Sequence, residues 1–319
     1  MDSATLAAFA ELGRAQRHTA YSEAASISLV AVEILHSLPE EVALIWKSEW
    51  NTGKILFLLS RYLVFFDASI ALYYTSTANT VKLCEPLFAA GSSLTVVGVT
   101  LAEIILYLRV FALSGRSRWV AALLVTCFVG FHGTTFVFLA RFIQSLEYAQ
   151  SPIPTIVGCL PVKASAKDLS IVFVLIMASE IVILIITLWL IFSKFRQSKN
   201  RLVTLFYRDG LVYFVLLTAI SAGNIICNLV APPGYSYLLA TPQRALHSIL
   251  ATRMVLHIRN VHGKTTNETS AIPLSDIGYA VRVNVRVDQD SVQFPRDAAY
   301  GEASTSYADE AETKGRRIQ

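Results

Sequence analysis

The sequence predicts an all-α, polytopic membrane protein: a bundle of seven transmembrane helices followed by a disordered C-terminal tail. Of its 319 residues, 54% are hydrophobic and only 16% are charged, whereas soluble domains carry about 25% charged residues. The mean hydropathy is +0.51. Seven apolar windows approach or exceed the length of about 20 residues that spans a bilayer. Residues 1–20 are amphipathic and lack the apolar core of a signal peptide, so we expect insertion to start at the first span.

The first two predicted spans are the ones that carry charge. The first, 21–38, is short, contains Glu23 and Glu33, and stops at Pro39; a re-entrant or interfacial helix is the alternative. The second, 54–77, is long enough to cross a bilayer but holds Arg61 and Asp67 in its interior. These two residues are six positions apart, which places them about 120° apart around a helix. They therefore need partners from other spans.

The later spans follow from apolar length and from the polar links between them. The third and fourth are separated by a basic link, the fifth contains the apolar run VILIITLWLIF, and the sixth ends at two prolines. The seventh is amphipathic. The predicted spans cover 21–38, 54–77, 87–113, 119–141, 169–193, 210–231 and 235–258, within a membrane domain of residues 21–259 that follows a short N-terminal segment, 1–20.

Basic residues predict the orientation of the bundle. They concentrate in the links between spans three and four and between spans five and six, and short loops rich in Lys and Arg stay in the cytoplasm. We therefore expect the N-terminus outside and the tail, 260–319, inside. The tail is rich in Ser, Thr, Asp and Glu, a composition typical of disorder. The link between spans five and six is expected to bind anionic lipid or a cytosolic protein; its basic residues are Lys194, Arg196, Lys199, Arg201 and Arg208.

Six of the predicted spans place polar or ionisable side chains in one layer near the bilayer midplane. With a rise of 1.5 Å per residue, each lies about 16–21 Å from the cytoplasmic end of its helix. An ionisable group there costs about 2.5–3.5 kcal/mol on insertion scales, so it normally faces a partner or a wet cavity. We expect the arginine of the layer to pair with one of its acids, and the layer to line a ligand pocket or an ion path; interhelical hydrogen bonding without further function is the alternative. The layer comprises Asp67, Glu103, His132, Glu180, Asn224, Arg244 and His247.

A second group of ionisable residues lies closer to the cytoplasmic face. Arg61, Arg109 and Arg253 are each about 7–10 Å from a helix end. Long basic side chains at that depth can extend to the interface, and this is the interpretation that we favour. A gate is the alternative, with Arg61 or Arg109 tied to an acid and released on activation.

Two of the four cysteines lie on the predicted outer face. Cys84 precedes the third span, and Cys159 lies in the Pro-containing link between the fourth and fifth. Disulfides persist outside the cytosol. We expect a Cys84–Cys159 bridge that pins the outer loop over the bundle, an arrangement similar to that of G-protein-coupled receptors.

The run from Glu33 to Asp67 resembles the N-terminal signature of a basidiomycete fungal family of membrane proteins, that of domain of unknown function 6533. Glu33 and Ser37 stand where the family usually has Asp and Thr. Family-like stretches recur at 109–113 and 247–253, so the resemblance covers roughly residues 20–260. It implies a seven-helix integral membrane protein and brings no established activity. The matching residues are Glu41, Ile45, Trp46, Gly53, Lys54, Arg61 and Tyr62.

The motifs that are absent from the sequence narrow the function classes. There is no HExxH pair, Walker-type loop or GxSxG elbow, and span seven has no Lys to anchor retinal. We therefore expect no enzyme, no metal and no cofactor, and nothing supports nucleic-acid binding.

The first hypothesis is a receptor-like, sensory protein of the plasma membrane or an endomembrane with an unknown small-molecule ligand. The second is a small-solute or ion transporter or channel, and a membrane enzyme ranks last. G-protein-coupled receptors carry an acid-Arg-Tyr motif at the end of span three and an Asn-Pro-x-x-Tyr motif in span seven. Here the matching places read LYLRVF and LATRMVLHI, which makes G-protein coupling doubtful.

Overall fold

The computed structural model describes residues 3–76, 81–150, 159–195, 201–232 and 234–271. Within them the chain is almost entirely helical. A π-helical turn, Val42–Trp46, follows the first helix directly. The seven α-helices are α1 (Ser3–Glu41), α2 (Thr52–Ser76), α3 (Val81–Leu113), α4 (Arg118–Gln144), α5 (Ala166–Phe195), α6 (Arg201–Val230) and α7 (Ala240–Ala271).

Four of these helices are long and apolar enough to cross a membrane: Thr52–Tyr74, Lys82–Leu113, Arg118–Gln144 and Ala166–Leu190. They coincide with predicted spans two to five. In the part of α6 whose side chains the structure describes, the apolar stretch is shorter, Phe214–Val230. Polar side chains recur along α1 and α7, and the described part of neither helix reaches the same apolar length. The chain is thus an all-α membrane protein with four candidate spans in its described part, and the count of seven spans stays a prediction.

The polarity of the helix bundle is reversed relative to a soluble protein. Large apolar side chains such as Trp119, Val129 and Trp189 are exposed, whereas Arg61, Glu103 and Arg244 are buried. A soluble protein almost never buries such charges while it exposes such an extent of apolar surface. The apolar core lies between α3, α5 and α6, and its largest cluster includes Leu106, Val110, Ile183, Phe214 and Leu217. This arrangement fits a lipid surround.

The predicted N-terminal segment, 1–20, is not separate from the first span. The described part of it, from Ser3, is continuous with α1, because the sequence there is rich in Ala and other strong helix formers. The side chain of Gln16 donates to the backbone carbonyl of Cys159. Gly234, at φ +100°, packs against this part of α1, where a Cβ would meet Leu12 and Ala15. Tertiary contacts therefore hold the extension.

The predicted tail starts at residue 260, and α7 continues beyond that position to Ala271. The chain divides into two compact units, Met1–His262 and Gly263–Gln319. Only residues 263–271 of the second unit are described, and these are helical. The remainder of the predicted tail, 272–319, lies outside the described residues.

A two-stranded antiparallel hairpin joins α4 to α5, and the sequence analysis did not predict it. Strand β1 (Glu147–Gln150) pairs with β2 (Cys159–Lys163). Lys163 Nζ donates to Glu147 Oε1 at 2.7 Å across the pair. The structure joins Cys84 at the start of α3 to Cys159 of β2 in a disulfide. The hairpin is thereby attached to the end of the bundle at which α2 stops and α3 starts.

Candidate functional site

The first part of the site is a buried pair between α3 and α4. His132 Nε2 lies 3.1 Å from Glu103 Oε2, and its other ring nitrogen lies 3.1 Å from the hydroxyl of Thr100. Ser179 of α5 donates to the same Glu103 oxygen at 2.5 Å, and Tyr107 lies 3.0 Å from Ser179. One oxygen of the Glu103 carboxylate therefore has at least two hydrogen-bond partners.

The second part of the site joins α5, α6 and α7. Glu180 and His247 are both fully buried, and His247 Nε2 lies 2.9 Å from Glu180 Oε1. The distance is that of an ion pair, but the two groups are not aligned for a hydrogen bond. Ser221 donates to Glu180 Oε1 at 2.8 Å, and Gln243 in turn donates to Ser221 at 2.7 Å. Asn224 completes the chain by donating to Gln243 Oε1 at 2.6 Å.

The two parts meet in one cluster. Glu103, Glu180 and His247 each place a possible metal-ligand atom within 4.8 Å of the other two. Glu103 Oε1, Glu180 Oε2 and both ring nitrogens of His247 are buried and have no hydrogen-bond partner among the described residues. Buried polar groups are hydrogen-bonded in the great majority of cases. The cluster thus combines two carboxylates and an imidazole with ligand capacity that the described side chains do not use.

Asp67 and Arg244 form a separate ion pair near this cluster. Arg244 Nε donates to Asp67 Oδ2 at 3.0 Å, and both side chains are almost completely buried. The guanidinium also donates to the backbone carbonyl of Ser60 at 3.3 Å, which Ser248 contacts as well. On α3, Gly98 lies directly against the guanidinium, leaving no room for a Cβ. Of the three acids that the sequence offered to Arg244, the structure selects Asp67.

Two arginines of the basic cluster contact the turn of α7 that contains the third. Arg61 donates to Thr252 at 3.2 Å, Arg109 donates to Met254 Sδ at 3.0 Å, and Arg253 belongs to the turn itself. Arg253 forms a bidentate ion pair with Glu33 of α1. Each arginine thus has a partner within the protein.

The expectation that Arg61 extends to the interface is wrong. Arg61 is 1% exposed, its Nε lies 2.7 Å from Glu41 Oε2, and it also donates to Ser37. The physical reason is that α1 runs on to Glu41, which brings an acid to the guanidinium, so Arg61 does not need water.

The family-like residues around Arg61 form one hydrogen-bonded network. Tyr62 and Trp46 both donate to Glu41 Oε1, at 2.8 and 3.0 Å. Lys54 Nζ donates to the backbone carbonyls of Trp46 and Ser48 at 2.9 and 2.8 Å. These contacts hold the π-helical turn between α1 and α2. The signature residues therefore hold the connection between α1 and α2, and they are not part of the cluster of Glu103, Glu180 and His247.

A cavity of about 120 Å³ lies between the cluster of Glu103, Glu180 and His247 and the disulfide-linked hairpin. Its lining is mostly apolar and includes Phe88, Val172 and Phe173, with Tyr74 at the disulfide end. Gln243 also lines it and connects it, through Ser221, to Glu180. The cavity and the buried charges are therefore in contact through hydrogen bonds.

The hairpin contributes an uncharged aromatic group beside the disulfide. Tyr148 of β1 packs with Tyr74 and the two bridged cysteines. Burial raises the pKa of Tyr148 to about 12, so its hydroxyl stays neutral over the physiological range. Phe88 makes edge contacts with Tyr74 and Phe142. Tyr74 and Phe88 line the cavity beside this group, and Glu23 is also part of the lining.

The structure divides the residues of the predicted layer into two groups, the Asp67–Arg244 pair and the cluster around Glu103, Glu180 and His247. It also adds polar residues that sequence reasoning missed, because the depth estimates selected ionisable groups and a single amide, Asn224, and did not weigh hydroxyls. Adjacency was the available signal, because Ser179 precedes Glu180 and Gln243 precedes Arg244. The basic-loop residues Lys194, Arg196, Lys199, Arg201 and Arg208 lie outside the part whose side chains the structure describes. The missed residues are Thr100, Tyr107, Ser179, Ser221 and Gln243.

Comparison with known proteins identifies one domain. Residues 21–66 match the model of the Family of unknown function (DUF6533). This match covers α1 from Tyr21, the π-helical turn and most of α2, which are the elements that the Glu41–Arg61 network connects. No curated protein and no solved structure matches the chain. The chain is therefore a membrane protein that carries a domain of unknown function.

Proposed function

We propose that the protein is a receptor-like, sensory seven-helix membrane protein, with its N-terminus outside, that takes a small and largely apolar molecule in the cavity beneath the hairpin. The observation that carries the proposal is the position of Gln243. It lines the cavity and is hydrogen-bonded into the chain that ends at Glu180 and His247. A ligand in the cavity therefore reaches Glu180 and His247 indirectly, through the side chains of Gln243 and Ser221.

The size and lining of the cavity define the ligand class. An engineered apolar cavity of about 150 Å³ binds benzene, and this cavity, at about 120 Å³, is of similar size. Ligand pockets are lined mainly by apolar and aromatic groups with a few polar groups that fix orientation. Here Phe88 and Phe173 supply the first, and Gln243 and the buried carboxyl group of Glu23 supply the second. A small aromatic molecule of about the size of benzene has the matching chemistry.

Helix α7 supplies the route from the cavity to the cytoplasmic side. Thr241 and Gln243 line the cavity, Arg244 and His247 hold the midplane pairs, and the turn 252–254 contacts the arginine cluster. From Thr241 to Arg253 the helix rises about 18 Å at 1.5 Å per residue. A shift of α7 at the cavity therefore changes the contacts of Arg61 and Arg109. This extends the gate hypothesis, because ligand binding in the cavity is then coupled to the contacts of the arginine cluster.

A pair of matched valines on α5 tests this proposal. Val172 lines the cavity and is buried, whereas Val174 is 43% exposed. Val172→Phe fills the cavity, and Val174→Phe adds the same side chain outside it. With benzene as the probe, hydrogen exchange at residues 42–50 and 252–258 is expected to change in the wild type and in Val174→Phe. It should not change in Val172→Phe. The same response in all three proteins contradicts the proposal.

A cation transporter is the second candidate, and the excess of buried acid at the midplane favours it. Glu103 and Glu180 are both completely buried, and such residues mark ion pathways in membrane proteins. Flux of sodium, potassium or zinc ions into vesicles that contain the protein distinguishes the two functions. Flux that Glu180→Gln abolishes, together with an unchanged exchange pattern in benzene, establishes the transporter and excludes the receptor.

A further inference from the structure

The ion-pair partners of Glu103 and Glu180 among the described residues are histidines, His132 and His247, which carry positive charge only when protonated. Both carboxylates are fully buried. The nearby Arg244 is bound to Asp67 at 3.0 Å and is thereby committed to another acid. Burying an ionised carboxylate without a compensating partner is strongly unfavourable. Arg244 is not available to Glu103 and Glu180, so either protons or a metal ion must neutralise them.

We propose that Glu103, Glu180 and His247 bind one divalent transition-metal ion of the zinc class. One ligand atom from each residue lies within 4.8 Å of the other two. Three such atoms can share a point about 2.8 Å or less from each, so shifts of under about 1 Å bring them to the 2.0–2.2 Å of zinc–oxygen and zinc–nitrogen bonds. A dication balances the two carboxylates.

The atoms without partners support a metal. In each carboxylate one oxygen is held by a hydroxyl, Ser179 on Glu103 and Ser221 on Glu180. The other oxygen has no hydrogen-bond partner among the described residues, and neither ring nitrogen of His247 is hydrogen-bonded there. The two carboxylates are thus oriented as metal ligands typically are, by second groups that hold the atoms not bound to the metal. His132, which contacts Glu103 at 3.1 Å, orients the carboxylate further.

The mixed oxygen and nitrogen ligands define the class of ion. Carboxylate and imidazole together suit zinc and its neighbours, whereas magnesium and calcium prefer oxygen alone. Three protein ligands leave a fourth tetrahedral position for water or another small group. The ligands come from α3, α5 and α7, so a bound ion links three helices at the layer next to the cavity. The site is independent of whether the cavity takes a ligand.

Metal content and cobalt spectroscopy test the site. The full chain, purified in detergent and dialysed against zinc, is expected to retain one zinc ion per chain. Cobalt in its place should give the visible absorption of a tetrahedral ion. Glu103→Gln, Glu180→Gln and His247→Gln should each weaken zinc binding at least about 100-fold, and Ser179→Ala about 10- to 100-fold, as for groups that orient a ligand. Glu147→Gln, an exposed acid of the hairpin, is the control and should bind as the wild type does.

The outcomes divide clearly. Stoichiometric zinc, a tetrahedral cobalt spectrum and a lower thermal midpoint after chelation support the site. Less than about a tenth of an equivalent of zinc, with no effect of zinc or cobalt on the thermal midpoint, overturns it and leaves protons to neutralise the carboxylates. If the substituted proteins do not fold, the wild-type stoichiometry and cobalt spectrum decide alone. Weakening in Glu147→Gln equal to that in the cluster variants also overturns it.

Discussion

Gly98→Ala is expected to break the Asp67–Arg244 ion pair, although alanine is the better helix former. Gly98 lies on α3 against the guanidinium of Arg244, and an added methyl would overlap Arg244 Nε, Cζ and Nη2. A flexible side chain would simply move aside. Arg244 cannot do so at low cost, because it is buried and bound to Asp67 and to the Ser60 carbonyl. The methyl therefore forces the guanidinium away from its acid.

The size of the effect follows from two opposing terms. Leaving a buried charge without its partner costs about 3–5 kcal/mol. Replacing Gly by Ala inside a helix stabilises by up to about 1 kcal/mol. The net loss in the free energy of unfolding is then about 2–4 kcal/mol. Gly130→Ala and Gly133→Ala on α4 are matched controls, since an added Cβ at either position meets nothing within 4 Å. Those variants should be unchanged or stabilised by up to about 1 kcal/mol.

Reversible unfolding of the three variants in mixed micelles measures these differences. A second measurement separates loss of the ion pair from general overpacking of α3. In the double variant Asp67→Asn, Arg244→Gln the shorter amide leaves room at Gly98, so Gly98→Ala should no longer destabilise. If Gly98→Ala is as harmless as Gly130→Ala in the wild-type background, the guanidinium is not held against α3. The rigid ion pair that we describe would then be refuted.

Two further variants test the Glu41–Arg61 network and the hairpin. Arg61→Met strands the buried carboxylate of Glu41 and should destabilise by about 3–5 kcal/mol, whereas Arg14→Ala, which removes an exposed pair, should change stability by less than about 1 kcal/mol. Equal effects in denaturant unfolding would show that Arg61 is solvated after all. Cys84→Ser opens a bridge of sequence separation 75, for which chain entropy predicts a loss of about 4 kcal/mol, measured as a lower thermal midpoint. A midpoint that reductant does not change in the wild type would contradict that prediction.

The sequence predicted the long apolar helices well because hydropathy alone determines them. Predicted spans two to five lie within a few residues of the helices that are apolar enough to cross a membrane. The extension of α1 to Ser3 was not predictable in the same way, because its first half carries polar residues and is held by contacts with Cys159 and Gly234. The hairpin was missed because strands of four and five residues give too short a pattern to recognise.

For the candidate site, the sequence predicted the depth of each residue along its helix but not the direction of its side chain around the helix axis. Helices rise by a fixed distance per residue, so counting residues was enough to place Asp67 and Arg244 at one level. Counting does not give the rotation of each helix, and the choice of Asp67 over Glu103 or Glu180 depends on that rotation. Arg61 was misjudged for the same reason. Its depth suggested the interface, while its direction leads to Glu41.

The two groups of acids differ in the residues that pair with them, and this difference argues for where function lies. In the arginine cluster Glu41 pairs with Arg61 and Glu33 with Arg253. In the midplane layer the buried Arg244 is taken by Asp67, and the partners of Glu103 and Glu180 among the described residues are His132 and His247, which are charged only when protonated. A balanced pair needs no purpose beyond holding helices together. A buried carboxylate without a permanently charged partner is unfavourable in a membrane, and sequences keep such local conflicts mainly at functional sites. Glu103 and Glu180 are therefore the residues through which we expect the protein to act.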